Sequence, residues 1–166
     1  RVLQSLSKDG LLETNGSLQL SPVPLHIGLV TSDGSAAYND FVNEISLSSY
    51  PFKISLVHSS VQGVDAEASL ISAIQTLANT DADVIAVVRG GGARTDLLAF
   101  DLESVARAVA QAGTPVFSGI GHEIDRSVVD EVAHTAFKTP TACAAALVQT
   151  VAAFDQNLSD SAQRIA

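Results

Sequence analysis

At 166 residues, with 46% apolar and 16% charged side chains, the chain is long enough for one domain with a buried core and too apolar to be disordered. Its net charge of −9 argues against a broad basic face of the kind that binds nucleic acid non-specifically. No apolar run approaches the roughly 20 residues of a membrane span, no secretory signal opens the chain, and a lone cysteine, Cys143, excludes an intrachain disulfide and suits a reducing compartment such as the cytoplasm. Opening on Arg1 and containing no methionine, the sequence reads as a piece of something longer.

Residues 1–22 are polar and turn-rich and read as a connector with one short helix, Val2 to Ser7. The first strand is Leu25 to Thr31. Asp33-Gly34 breaks it, and Ser35 can cap a helix through about Leu47. Pro51 ends that helix, and Phe52 to Ser59 alternates as a second strand. Gly63 and Asp65 open a helix through about Ala78, with Leu70, Ile71, Ile74 and Leu77 on one face. Asp83 to Val88 is a third strand, uniformly apolar as expected when both faces are covered. Thr95 or Asp96 caps a helix that runs to about Ala112 and stops at Gly113, and Pro115 to Ile120 is the fourth strand. A short helix follows from Asp125 to about Ala133. Thr139-Pro140 then starts a helix that can run to the end, proline being favoured at the first helical position.

This alternation predicts an α/β fold: a mostly parallel sheet of about four or more strands with helices on both faces, followed by a C-terminal helix. In that last helix Leu147, Val151, Phe154, Leu158 and Ile165 recur at near-heptad spacing. The pattern fits a coiled-coil seam and a helix packed on its own domain equally well.

Two loops carry the chemistry. Arg89-Gly90-Gly91-Gly92 follows the third strand and Gly121-His122-Glu123-Ile124-Asp125 follows the fourth, at the carboxyl ends where open sheets bind ligands. The glycines let backbone amides approach an anion, although the pattern is neither a dinucleotide fingerprint nor a Walker A loop, and a plain tight turn is the simpler reading. The fork of Arg89 suits a phosphate or a salt bridge to a nearby aspartate. If the segment is helical, His122 and Asp125 share a face and can act as an oriented general acid or base; His122 can equally be a hydrogen-bonded loop histidine, Asp125 a helix cap, and with Glu123 the pair a hard-cation site. No cysteine–histidine spacing for zinc exists. Asp40, on the first long helix, can reach the same crevice or sit exposed, and Thr31-Ser32 can touch a ligand or shape its turn. Of nine cations, Arg89, Arg94, Arg126 and Lys138 lie in or beside these loops, so their convergence would make a locally positive crevice in an acidic protein. His26, His58 and His134 read as structural or surface residues.

Taken together these residues resemble the large subunit of exodeoxyribonuclease VII. The resemblance runs from about Ile27 to Val148. It comprises Thr31-Ser32 with Ala36-Ala37 and Asp40, Val61-Gln62-Gly63, Arg89-Gly90-Gly91-Gly92 with Asp96-Leu97 and Phe100, Gly121-His122-Glu123 with Asp125, then Asp130 and Thr139-Pro140-Thr141-Ala142. It implies an exonuclease that hydrolyses single-stranded DNA from both ends to short oligonucleotides, in the cytoplasm, with no membrane attachment. No cofactor or metal site is implied; Mg2+ is permitted but not implied. The implied catalytic residues are Asp40, Arg89, His122 and Asp125. Thr31, Ser32, Gly90, Gly91, Gly92, Arg94, Glu123, Arg126, Thr139 and Thr141 are expected to contact phosphate or DNA.

The implied partners are single-stranded DNA and several copies of a small helical subunit bound through the C-terminal helical region. The implied organisation is a connector over 1–22 after a missing N-terminal oligonucleotide-binding domain, a catalytic core over 23–150, and the start of the C-terminal helical region over 151–166. The sequence departs from the family pattern at Ala93, Thr95, Leu98 and Ile124, and Asp33-Gly34-Ser35 is one residue shorter than the usual turn. Two other classes compete: a doubly wound domain binding a nucleotide or sugar phosphate, and a non-catalytic assembly module. With two tyrosines, six phenylalanines and no tryptophan, the 166 residues alone are expected to bind DNA weakly.

Overall fold

The uniformly apolar run after Asp83 becomes the middle strand of a five-stranded sheet. In the computed structural model, residues 1–121 and 125–165 are described, Arg94 through its backbone alone. Strands β1 (His26–Thr31), β2 (Lys53–His58), β3 (Val84–Arg89), β4 (Val116–Ile120) and β5 (Thr135–Phe137) lie in the order β2-β1-β3-β4-β5. Every pairing is parallel. The fifth strand was not anticipated: three residues are too few to show a period.

Strand pleat decides which helices each side chain meets. Ile85 and Val87 of β3 join the core under α3 (Ala66–Ala78), α4 (Glu103–Ala110) and α5 (Val128–Val132). Val84, Ala86 and Val88 face the opposite way, into the core under α2 (Ala36–Ser46) and α6 (Pro140–Ile165). Both faces are thus covered, as a parallel sheet requires.

The helix starts follow local chemistry. The Ser35 hydroxyl accepts from the amide of Tyr38 and opens α2. The Thr139 hydroxyl accepts from the amide of Ala142, with Pro140 in the first turn of α6.

Two expectations are corrected. The helix expected over 95–112 is two pieces, a 3-10 helix Arg94–Asp101 and α4, separated by Leu102 in an extended conformation (ψ 132°). Neither Thr95 nor Asp96 caps it, the flanking Ala93 having no side chain to offer. The tight coil turns Ala99 and Phe100 into the core, and the extended Leu102 resets the axis so that Val105 and Val109 bury too. The short helix expected from Asp125 starts instead at Val128. There Ser127 and Asp130 form a reciprocal capping box.

Residues 1–22 lie on the core. Helix α1 (Val2–Lys8) buries Leu6 completely. The side chain of Asn15 donates to the carbonyls of Val109 and Thr114 at 3.1 and 2.9 Å and accepts from the amide of Val116 at 2.8 Å, fixing the entry to β4. At the other end α6 is continuous across residue 150. Leu147 and Val151 are buried on the domain itself, whereas Leu158 and Ile165 are 55% and 88% exposed. The near-heptad stripe therefore changes character along one helix.

Candidate active site

The strand order reverses direction between β1 and β3, and the carboxyl ends of the strands open there into a crevice of about 950 Å³. Four segments distant in sequence meet around it. Asp40 comes from α2. Gly90, Gly91 and Gly92 follow β3. Gly121, Asp125 and Arg126 follow β4, and Thr139 and Thr141 come from the start of α6.

Glycine is required where these segments touch. A Cβ on Gly121 would lie 2.6 Å from the amide nitrogen and 3.0 Å from the Cα of Gly91, and 2.8 Å from the carbonyl carbon of Gly90. The contact is backbone on backbone, so no side chain can yield. The Gly121 amide donates to the Arg89 carbonyl at 2.8 Å and continues the β3–β4 ladder past the strand ends. Deeper in the sheet, a Cβ on Gly119 would meet the Cys143 Cβ and the Thr139 carbonyl, both at 2.9 Å. That approach seats the first turn of α6 on β4 and brings Thr139 and Thr141 to the crevice rim. Cys143 is fully buried beneath, and burial pushes its thiol above the ordinary range.

Arg89 follows the pleat of Ile85 and Val87, so its side chain leaves the sheet on the α3 side rather than the α2 side that carries Asp40. It is 6% exposed. One terminal nitrogen donates to the Gly90 carbonyl, and the other donates to Gln62 Oε1 at 2.7 Å and lies 3.6 Å from Asp96. Its Nε is buried with no partner among the described residues. The guanidinium therefore stands behind the glycine loop, in contact with the carbonyl of a crevice-lining residue. A Cβ on Gly92 would come within 2.6 Å of it.

The other candidates separate. Asp40 and Asp125 both line the crevice and are exposed. Thr31 is fully buried with no hydroxyl partner among the described residues, and the Ser32 hydroxyl donates to the Ser59 carbonyl; neither lines the crevice. Arg126 lines it while its Nε pairs with Glu131 at 3.0 Å and a terminal nitrogen donates to the Asp130 carbonyl. The side chain of Arg94, and all of His122 and Glu123, lie outside the described residues. The three remaining histidines are structural. His26 bonds Ser55 and Asp81, His58 accepts from the Asp33 amide, and His134 bonds Thr135 and the Leu18 carbonyl.

Sequence reasoning did not assign Asp101 or Ser127 to the site, yet both line the crevice, as does Lys138, which was expected beside it as a cation. Asp101 Oδ1 also accepts from the Val128 amide at 3.0 Å, tying the end of the 3-10 helix to the start of α5. Its signal was hidden because residues 95–112 read as one helix, which put Asp101 in mid-helix. Among the described lining, two cations, Arg126 and Lys138, meet three carboxylates, Asp40, Asp101 and Asp125. The loops converge, but the expected net-positive crevice is not formed by these residues. Buried Asp130 supports the floor, accepting from the Ser118 hydroxyl at 2.6 Å and from the amide and hydroxyl of Ser127, both at 2.9 Å. With carboxylates on its lining, glycine backbone and an arginine behind it, the crevice has groups that can position a water and a phosphodiester.

The family model described as "Exonuclease VII, large subunit" matches residues 11–166. The chain is 42% identical over 147 residues to the exodeoxyribonuclease 7 large subunit of Pseudothermotoga lettingae, covering 88% of this chain and 38% of that protein. It is 42% identical over 153 residues to that of Tropheryma whipplei, covering 92% and 37%, and 34% identical over 164 residues to that of Thermotoga maritima, covering 99% and 41%. The chain thus spans about two fifths of the length of the curated relatives it matches.

Proposed function

The chain belongs to the exonuclease VII large-subunit family, and from that premise we propose that its crevice hydrolyses phosphodiester bonds of single-stranded DNA. The observation that carries this reading is the convergence of Asp40, the Gly90–Gly92 backbone, Gly121 and Asp125 on one crevice from three separate crossovers. Hydrolysis of a phosphodiester requires an in-line water and stabilisation of charge on the phosphoryl oxygens. Asp40 positions the water. Backbone amides of Gly90 to Gly92 receive the phosphoryl oxygens, and Arg89 adds positive charge from behind that loop. His122 transfers the proton, oriented by Asp125, and Arg126, Thr139 and Thr141 hold the flanking backbone.

In this reading the enzyme attacks single strands from both ends, releases short oligonucleotides, needs no added metal, and works in the cytoplasm with several copies of a small subunit held beyond α6. Among the described residues no helix is long and apolar enough to cross a membrane.

The test uses the full-length large subunit with its small subunit and end-labelled single-stranded DNA in EDTA. Wild type is expected to degrade the strand. Asp40→Asn and His122→Ala are each expected to lose roughly 10²- to 10⁴-fold in kcat, as removal of a proton-transfer or water-positioning group does. Full activity in either variant removes that residue from the mechanism. A wild type that cuts only after a divalent ion is added makes Asp40, Glu123 and Asp125 metal ligands instead.

A further inference from the structure

Behind the glycine loop lies a second hollow, of about 230 Å³, bounded by Gln62, Val64, Asp96 and Leu98. We propose that it is a base-binding subsite, which takes a nucleobase of the same strand whose phosphate lies in the crevice. The proposal rests on the nuclease reading above.

Three observations carry it. The first is apolar surface that the described residues leave exposed. Val64 is 96% exposed and Leu98 59%, and Leu102, also on the hollow, is 38% exposed. Aliphatic side chains on the wall of a shallow hollow can pack on a flat ring, and a void of this size accommodates one base.

The second is charge. Glu67 and Asp96 line the hollow and, among the described residues, no cation does. Asp96 is offset by Arg89 at 3.6 Å, so the surplus charge is that of Glu67, and a phosphate is disfavoured there. A neutral base is not, and its ring amino groups can donate to the Asp96 carboxylate. Gln62 spends its Oε1 on Arg89, which leaves its amide nitrogen to donate to a base edge.

The third is continuity with the crevice. Leu97 lines the crevice and its neighbour Leu98 lines the hollow, so the 3-10 helix is the partition between them. The guanidinium of Arg89 spans the same partition, bonded to Gly90 of the crevice and to Gln62 of the hollow. A strand crossing the glycine loop therefore sets a phosphate on one side and a base on the other.

The test uses full-length large subunit assembled with its small subunit, and the uncharged substitutions Leu98→Asn and Val64→Asn, both at exposed positions. The expected result is a KM for single-stranded DNA raised roughly five- to tenfold, the size of one lost base contact, with kcat within about twofold of wild type. The increase persists between about 50 and 200 mM salt, because no phosphate contact is lost. Substrates carrying one abasic site, moved stepwise from the cleaved bond, raise the wild-type KM at one position, and Leu98→Asn abolishes that position's penalty. An unchanged KM in both variants, or an abasic penalty that survives Leu98→Asn, overturns the subsite while leaving the nuclease reading intact. A wild-type enzyme that does not degrade single-stranded DNA at all overturns both.

Discussion

An alanine at position 121 would place its methyl carbon 2.6 Å from the Gly91 amide nitrogen, and neither loop could move without losing the bond from the Gly121 amide to Arg89. Gly121→Ala is therefore expected to lower stability by about 1–3 kcal/mol through overpacking. It should also depress activity by more than that loss explains, because the displaced segment carries Asp125. Urea unfolding beside kcat checks both halves; an unchanged kcat would mean that the touching loops do not set the geometry of the reaction. Nothing in the run Gly-His-Glu reveals this contact, since the demand for glycine comes from a backbone 30 residues away. The direction of Arg89 was equally hidden. Alternation marks the faces of a strand when one face is polar, and β3 is apolar on both, so the parity that sends Arg89 toward Gln62 shows only once the layers are known.

At the scale of elements, the helices with strong starts were legible. Ser35 and Thr139-Pro140 are local signals, and α2 and α6 begin where they say. The 3-10 helix and β5 were not, because their reasons are tertiary: a buried Phe100 in one, a free edge of β4 in the other. Helix α6 divides into two energetic halves. Leu147→Ala should cost about 2–5 kcal/mol in urea unfolding, as a buried leucine does, and Leu158→Ala less than about 0.5 kcal/mol. Equal costs would contradict the burial pattern.

The docking of α1 is set by polar contacts. Glu103 accepts from the Ser5 hydroxyl at 2.8 Å and from Arg107 at 2.7 Å, and Arg107 also reaches Asp9 at 2.5 Å. Bonds from Arg107 and then Ser5 hold the Glu103 carboxyl below its ordinary range. Its folded value lies under its unfolded one, so this contribution is complete above the unfolded value and is lost as pH falls through the folded value. Residues 2–8 should therefore gain deuterium faster below about pH 4, and Arg107→Ala should flatten that dependence.

On the scale of the whole molecule, a chain of net charge −9 presents a crevice whose described lining is itself more acidic than basic. Under the proposed function, affinity for a polyanionic strand is supplied by backbone amides, Arg89, Arg126 and contacts to the uncharged parts of the strand. Composition revealed the sign of this constraint; the positions of Asp101 and Ser127 on the rim came only from the folded chain. The burial of Cys143 has a consequence of its own. The only thiol in the chain is sealed between α6 and Gly119 and its ionisation is suppressed, so a soluble disulfide reagent should find it inert in the native state. It becomes a stopwatch for opening: its labelling rate, followed against urea, reports how often α6 lifts from the sheet. Should that rate track global unfolding, the rim of the crevice and the core come apart as one unit; should it run faster, Thr139 and Thr141 belong to a segment that opens alone.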